Sequence, residues 1–131
     1  MQVQQIMTKD IFALKEDSKI FKASEIMTFK NIRHIPVIDS KGKLVGIVTH
    51  RDLLSSLSRK LMPLQVREIM TRDATSITPE THVSRATEIM LSNKFGCLPI
   101  VDSKGILIGI ITETDLLKEL FRLSTLVEVK R

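Results

Sequence analysis

The sequence has no tryptophan and no tyrosine; its only aromatic side chains are five phenylalanines. Proteins that bind single-stranded nucleic acid stack bases on aromatic rings, so that function lacks its main device here. A single cysteine, Cys97, excludes a disulfide within the chain. With only three histidines beside it, a structural zinc site is not expected. His34, His50 and His82 share no metal-ligand spacing, and Cys97 precedes Leu98-Pro99 as a small core residue would. No catalytic constellation emerges, and the expectation is a protein that is not an enzyme and carries no cofactor. No apolar run approaches the ~20 residues of a membrane span. The opening Met1-Gln2-Val3-Gln4-Gln5 lacks the charged and apolar segments of a secretory signal, so the expected location is cytoplasmic.

What is present suits a globular fold: 131 residues, 43% hydrophobic and 27% charged. The net charge of +5 is spread along the chain. Its most basic segment, Arg59 to Arg72, is broken by Leu61, Met62, Pro63, Leu64 and Val66. That pattern favours a solvated basic surface over a nucleic-acid interface.

The chain is an internal duplication. A shift of 63 residues, the distance from Gly46 to Gly109, aligns Ile6–Leu57 on Ile69–Leu120 without a gap. Ile6-Met7-Thr8 meets Ile69-Met70-Thr71, and Glu25-Ile26-Met27 meets Glu88-Ile89-Met90. Asp39-Ser40-Lys41-Gly42 meets Asp102-Ser103-Lys104-Gly105. Residues 1–60 form the first motif, 61–68 a connection, 69–122 the second motif and 123–131 a tail.

Each copy predicts β-α-β-β-α. The first strand covers Ile11 to Leu14 or Thr75 to Ile77. The first helix is capped by Ser18 or Thr81 and buries Ile20, Ala23 and Met27, or Val83, Ala86 and Met90. Methionines at this spacing are core rather than soft metal ligands. Ile35-Pro36-Val37-Ile38 is a strand whose proline belongs at its start or at an edge. Asp39 to Gly42 turns the chain into a hairpin, and a last helix runs from His50 to Arg59. A unit of roughly 55 residues buries too little surface alone. The fold class is therefore α/β (α+β): two repeats packed sheet to sheet with pseudo-twofold symmetry, helices outside. In the tail, the alternation Leu126-Val127-Glu128-Val129-Lys130 leaves an added strand and a loose end both open.

The chemistry concentrates where a strand runs into the last helix, at Gly46-Ile47-Val48-Thr49-His50-Arg51-Asp52 and again at Gly109-Ile110-Ile111-Thr112-Glu113-Thr114-Asp115. Thr-x-x-Asp is a capping box, its hydroxyl and carboxylate satisfying orphan amides of the first turn. The same physics serves a ligand: free amides at a helix start attract phosphate, and an ionised carboxylate accepts two hydrogen bonds from a cis-diol. Both readings stand at this point.

Taken together, the repeated Ile-Met-Thr, Ala23…Met27 helix, apolar-Pro-apolar-apolar-Asp strand and Gly-apolar-apolar-Thr-x-x-Asp turn resemble a tandem pair of cystathionine β-synthase (CBS) domains, a Bateman module. The resemblance implies a regulatory module that binds AMP, ADP, ATP or S-adenosyl compounds in clefts between its motifs. Carried over, it places one site at Ile47, Thr49, Arg51 and Asp52 with Asp73 and Thr75. The other is at Ile110, Thr112, Thr114 and Asp115 with Asp10 and Phe12. Arg33 and His34, or Gly96 and Cys97, match positions facing phosphates. It also implies a flat homodimer built through helices and a regulated protein partner in trans. A dimerisation module with empty pockets is the alternative, and a nucleic-acid binder a more distant one. Because Arg33, His34 and Arg51 have Gly96, Cys97 and Thr114 as counterparts, the Asp52 site is expected to favour phosphorylated ligands. The Asp115 site is expected to accept neutral adenosine-like ligands or stay empty.

Overall fold

The computed structural model describes residues 1–58 and 65–130. Its backbone forms a mixed α/β fold with four helices and two sheets among the described residues. Packing divides the chain into two compact units that do not coincide with the two sequence repeats.

One unit comprises Phe12–Thr75 and Ser103–Leu107. It contains β1 (Leu14–Lys15), α1 (Ile20–Lys30), β2 (His34–Ile38), β3 (Leu44–Thr49), α2 (His50–Ser56) and β4 (Thr71–Arg72), with the sheet ordered β1-β2-β3-β4. The first strand is later and shorter than Ile11 to Leu14, because only Leu14 and Lys15 reach the parallel ladder with Val37 and Ile38. Pro36 is neither first in its strand nor at an edge: it is the third residue of interior β2, buried, and level with Ile47. This is tolerated because β1 pairs only with Val37 and Ile38, so that edge asks no donor of Pro36. The hairpin after β2 is built by Asp39, whose Oδ1 accepts from the N–H groups of Lys41 and Lys43 at 2.8 and 2.9 Å. Those bonds, with Lys43's amide first among them, hold the Asp39 carboxyl below its ordinary pKa. Gly42 supplies the positive φ of 86° that the turn requires.

The second unit comprises Met1–Ile11, Ser76–Asp102 and the chain from Ile108 onward. It holds α3 (Val83–Asn93), β5 (Cys97–Val101), most of β6 (Leu107–Thr112) and α4 (Glu113–Lys130). No strand forms over Thr75 to Ile77; Ile77 alone bridges Ile100 in parallel, just as Leu14 meets Val37.

Each unit takes its neighbour repeat's opening segment into its own core. Val66, Ile69 and Met70 are buried with Leu14, Ala23, Met27, Ile35, Val37 and Val48. Val3 is buried with Ile77, Ala86, Met90, Leu98, Ile100 and Ile111, and Ile6 and Met7 pack against that cluster. The openings are short 3-10 turns, Val3–Gln5 and Val66–Glu68, followed by Thr8 or Thr71 paired to a strand. The exchange answers the burial deficit of a lone repeat with side chains from the other copy.

Three further expectations change. The N-caps of α1 and α3 are Lys19 and His82, one residue beyond Ser18 and Thr81. Ser18 Oγ and Thr81 Oγ1 instead accept from Lys15 and Thr78 amides at 3.0 and 3.2 Å, closing the turns before the helices. The helix α2 ends at Ser56, where the hydroxyl donates to the Leu53 carbonyl at 2.6 Å. Arg59 and the connection from Leu61 to Leu64 lie outside the described residues. The tail is neither strand nor loose end, since α4 continues to Lys130. No glycine or proline follows Gly109 to stop it.

Candidate functional site

The two Thr-x-x-Asp turns are two corners of similar backbone, each lying inside one compact unit. In the first, Thr49 ends β3 in extended conformation and serves as N-cap of α2. Its N–H donates to Asp52 Oδ2 at 2.8 Å, and its Oγ1 accepts from the Asp52 N–H at 3.2 Å. The capping reading is thus realised in full, and it occupies one carboxylate oxygen. The Arg33 carbonyl accepts from the His50 N–H at 2.9 Å. This contact, with His34 level with Thr49 in the β2–β3 ladder, sets Arg33 and His34 beside the helix start. Arg33 and Arg51 are exposed, and His34 is half-buried. Two arginines and a histidine thus flank the helix start in the chain.

On the other side of β3, Thr71 is level with Ile47 and Arg72 with Gly46. Gly46 is needed for this approach: a Cβ there would stand 2.7 Å from the Thr71 carbonyl oxygen. The strand ends at once, and Asp73 turns the chain with a φ of 51°, leaving Asp73 and Thr75 exposed in the same unit as Thr49 and Asp52. Aspartate is among the few residues that occupy this left-handed region readily.

In the second corner Thr112 ends β6, and Asp115 Oδ2 accepts from both the N–H and the Oγ1 of Thr112, at 2.9 and 3.1 Å. The Asp115 N–H donates to Thr112 Oγ1 at 3.3 Å. The Gly96 carbonyl accepts from the Glu113 N–H at 3.2 Å, repeating the Arg33–His50 contact. Thr8 pairs with Ile110 through both backbone groups, at 2.9 and 3.0 Å, as Thr71 pairs with Ile47. Its hydroxyl donates to Asp115 Oδ1 at 3.0 Å. Asp10 and Thr114 are exposed in this unit, whereas Phe12 belongs to the other, where Lys30 Nζ lies 5.1 Å above its ring.

Cys97 is buried beside this corner, and its thiol is pushed up to about 12, by burial first and then by the Glu113 carboxylate. It stays protonated at neutral pH and is no nucleophile. Among the described residues no His, Cys, Asp and Glu side chains gather into a metal site. No helix there is long and apolar enough to cross a membrane.

The sequence reading did not single out Thr8 and Thr71 as site residues. The signal was present in the repeated Ile-Met-Thr, but nothing in the sequence shows that each Thr is delivered to the other repeat's strand.

Comparison with known proteins accords with this geometry. The CBS domain model matches twice, over residues 3–59 and 66–122. A 17.7 kDa protein of Acidianus ambivalens is 36% identical over 124 residues, covering 95% of this chain and 76% of that protein. Inosine-5′-monophosphate dehydrogenase of Methanocaldococcus jannaschii is 36% identical over 114 residues, but this chain spans only 22% of its length. Among solved structures, a putative acetoin utilization protein from Vibrio cholerae superposes with a TM-score of 0.88 at 34% identity, covering 98% and 96% of the two chains. CBSX2 in complex with AMP superposes with a TM-score of 0.86 at 28% identity, covering 94% and 98%. The CBS domain pair of protein MJ0100, in complex with 5′-methylthioadenosine and S-adenosyl-L-methionine, gives 0.85 at 28% identity, covering 92% and 99%. With both repeats matched and nearly the whole fold shared, this chain belongs to the CBS domain family as a tandem CBS pair.

Proposed function

We propose that this CBS pair is a cytoplasmic regulatory module that binds adenosine-containing molecules, such as AMP, ADP, ATP or S-adenosyl compounds, and catalyses no reaction. The observation that carries the reading is the pair of carboxylates, Asp52 and Asp115, each held at a strand-to-helix turn with a threonine hydroxyl beside it. A ribose offers its cis-diol to such a carboxylate, and a phosphate is drawn to the helix start and the Arg33, His34 and Arg51 rim. The solved CBS pairs that share this fold in complex with AMP, or with methylthioadenosine and S-adenosylmethionine, support the ligand class. On this reading the first site comprises Ile47, Thr49, Arg51, Asp52, Asp73, Thr75, Arg33 and His34. The second comprises Ile110, Thr112, Thr114, Asp115 and Asp10; Phe12 belongs to the other compact unit and is not counted in it.

The module would work as a homodimer that reports ligand state to a protein partner in trans. Exposed Leu91, Phe95 and Leu117, lining a groove of about 460 Å³ on α3 and α4, give a second copy an apolar face to cover. A thermal-shift screen tests the ligand class, since a molecule that binds only the folded state raises apparent stability. AMP or ATP should raise the melting temperature, while guanosine nucleotides and oligonucleotides leave it unchanged. No shift with any adenosine compound would leave a dimerisation module with empty pockets as the better account.

A further inference from the structure

The two corners share their threonine and aspartate residues, yet their carboxylates are not equally engaged. Asp52 takes one donor among the described residues, the Thr49 amide on Oδ2. Asp115 takes three: the amide and hydroxyl of Thr112 on Oδ2, and the Thr8 hydroxyl on Oδ1. Thr71 stands opposite Ile47 as Thr8 stands opposite Ile110, yet no hydrogen bond joins the Thr71 hydroxyl to Asp52. A carboxylate offers about four lone-pair sites. Among the described residues, Asp52 therefore has no donor on Oδ1, while Asp115 has a partner on each oxygen.

We propose that Thr8 is a specificity-determining residue of the Asp115 corner, lowering its affinity for vicinal diols by holding Oδ1. This rests on the reading of the corner as a ribose site. A bidentate diol needs two acceptor positions; at Asp115 it must first displace a donor, and Thr8 is the one that caps nothing. The Thr112 bonds belong to the helix cap and are lost only with the first turn of α4. The Thr8 hydroxyl sits on an exposed residue and can rotate to water, while its backbone stays paired with Ile110. The Asp115 corner consequently opens to a diol by one rotation about the Thr8 Cα–Cβ bond.

The test uses the full chain with Asp52→Ala, which confines diol binding to Asp115, with and without Thr8→Val. Valine keeps the branched shape and the strand backbone but has no donor. Calorimetric titration with AMP should show Thr8→Val tightening binding by about two- to tenfold, the equivalent of one net hydrogen bond. Titration with 2′-deoxy-AMP, which has no vicinal diol, should not change. Thr8→Ser restores the donor and should return AMP affinity to that of Asp52→Ala alone; a general loosening of the corner would not be reversed in this way. Weaker or unchanged AMP binding in Thr8→Val overturns the proposal, as does equal tightening for the deoxy compound. Should Thr8→Val fail to fold, Thr8→Ala against Thr8→Ser carries the same comparison. Failure of the wild-type chain to bind AMP would instead remove the site reading itself, a result distinct from wild-type binding with no Thr8 effect.

Discussion

The two corners are the same backbone device placed in different chemical surroundings. Both end a strand with a threonine N-cap, return a carboxylate to that threonine's amide, and anchor the first helical N–H on the carbonyl at residue 33 or 96. Around Asp52 stand Arg33, His34 and Arg51; around Asp115 the same positions hold Gly96, buried Cys97 and Thr114. Among the described residues Asp115 also takes more hydrogen bonds than Asp52. Duplication preserved what the fold needs, the cap and the strand-to-helix turn, and left the side chains around it free to diverge. The difference shows that the cap itself is kept while the groups around its carboxylate change. A capping box uses one carboxylate oxygen, and the neighbours decide what the other does.

The largest way to break the comparison is to remove each carboxylate. Asp52→Ala should weaken AMP binding at the first corner at least tenfold, since hydrogen bonds to a charged acceptor contribute about 1.5–3 kcal/mol each. Asp115→Ala should lower total AMP binding less. Calorimetry checks both, and two mutants that bind like wild type would reduce both corners to helix caps.

A second comparison sets the glycines behind the corners against each other. A Cβ on Gly46 meets the Thr71 carbonyl oxygen, a backbone atom that cannot step aside, at 2.7 Å, and Met70 Sδ at 2.9 Å. On Gly109 the nearest atom is Met7 Sδ at 2.8 Å, the far end of a flexible side chain, with the Thr8 carbonyl at 3.2 Å. Urea denaturation should therefore show Gly46→Ala destabilising by about 1–3 kcal/mol and Gly109→Ala by less.

The rim cations give a third, smaller effect. Arg33→Ala together with Arg51→Ala should lower the AMP-to-adenosine affinity ratio of the first corner by several-fold, because charge-assisted bonds are about twice as strong as neutral ones. Adenosine affinity itself should hold, and a parallel loss of both ligands would mean that the arginines act on the fold.

The smallest effect concerns the hairpin that both repeats share. Asp39 has its folded-state pKa depressed by the Lys43 amide first, so its contribution is present above the unfolded carboxylate pKa and is lost as pH falls through the folded value. Asp39→Asn should remove that contribution, lowering stability slightly at neutral pH and flattening the acid limb below about pH 4, so that the two proteins converge at low pH when denaturation is measured against pH.

Much of this was legible beforehand because the duplication doubles every signal. Helices burying Ala23 and Met27, or Ala86 and Met90, and the turns at Asp39 and Asp102, follow from spacing and turn chemistry alone. The exchange of opening segments was not legible. It is a non-local pairing, and Val3 or Val66 carries no mark of which core receives it. Nor was the depth of Pro36 in its sheet, which depends on how few residues β1 contributes. The helical tail was misread because its alternation over Leu126 to Lys130 covers only five residues, too few to weigh against the absence of a helix breaker after Gly109. At the candidate site, the Thr49–Asp52 cap was legible in its own sequence, whereas the Thr8 contact became visible only once the fold carried Thr8 to Asp115.

The central claim, that one corner reads phosphate and the other does not, is tested most directly by calorimetric titration of AMP and adenosine into Asp52→Ala and Asp115→Ala. The remaining Asp52 corner in Asp115→Ala should prefer AMP over adenosine by about tenfold or more, the work of charge-assisted bonds from its rim. The remaining Asp115 corner in Asp52→Ala should take the two ligands with similar affinity, or neither. Equal preference for AMP at both corners would contradict the account.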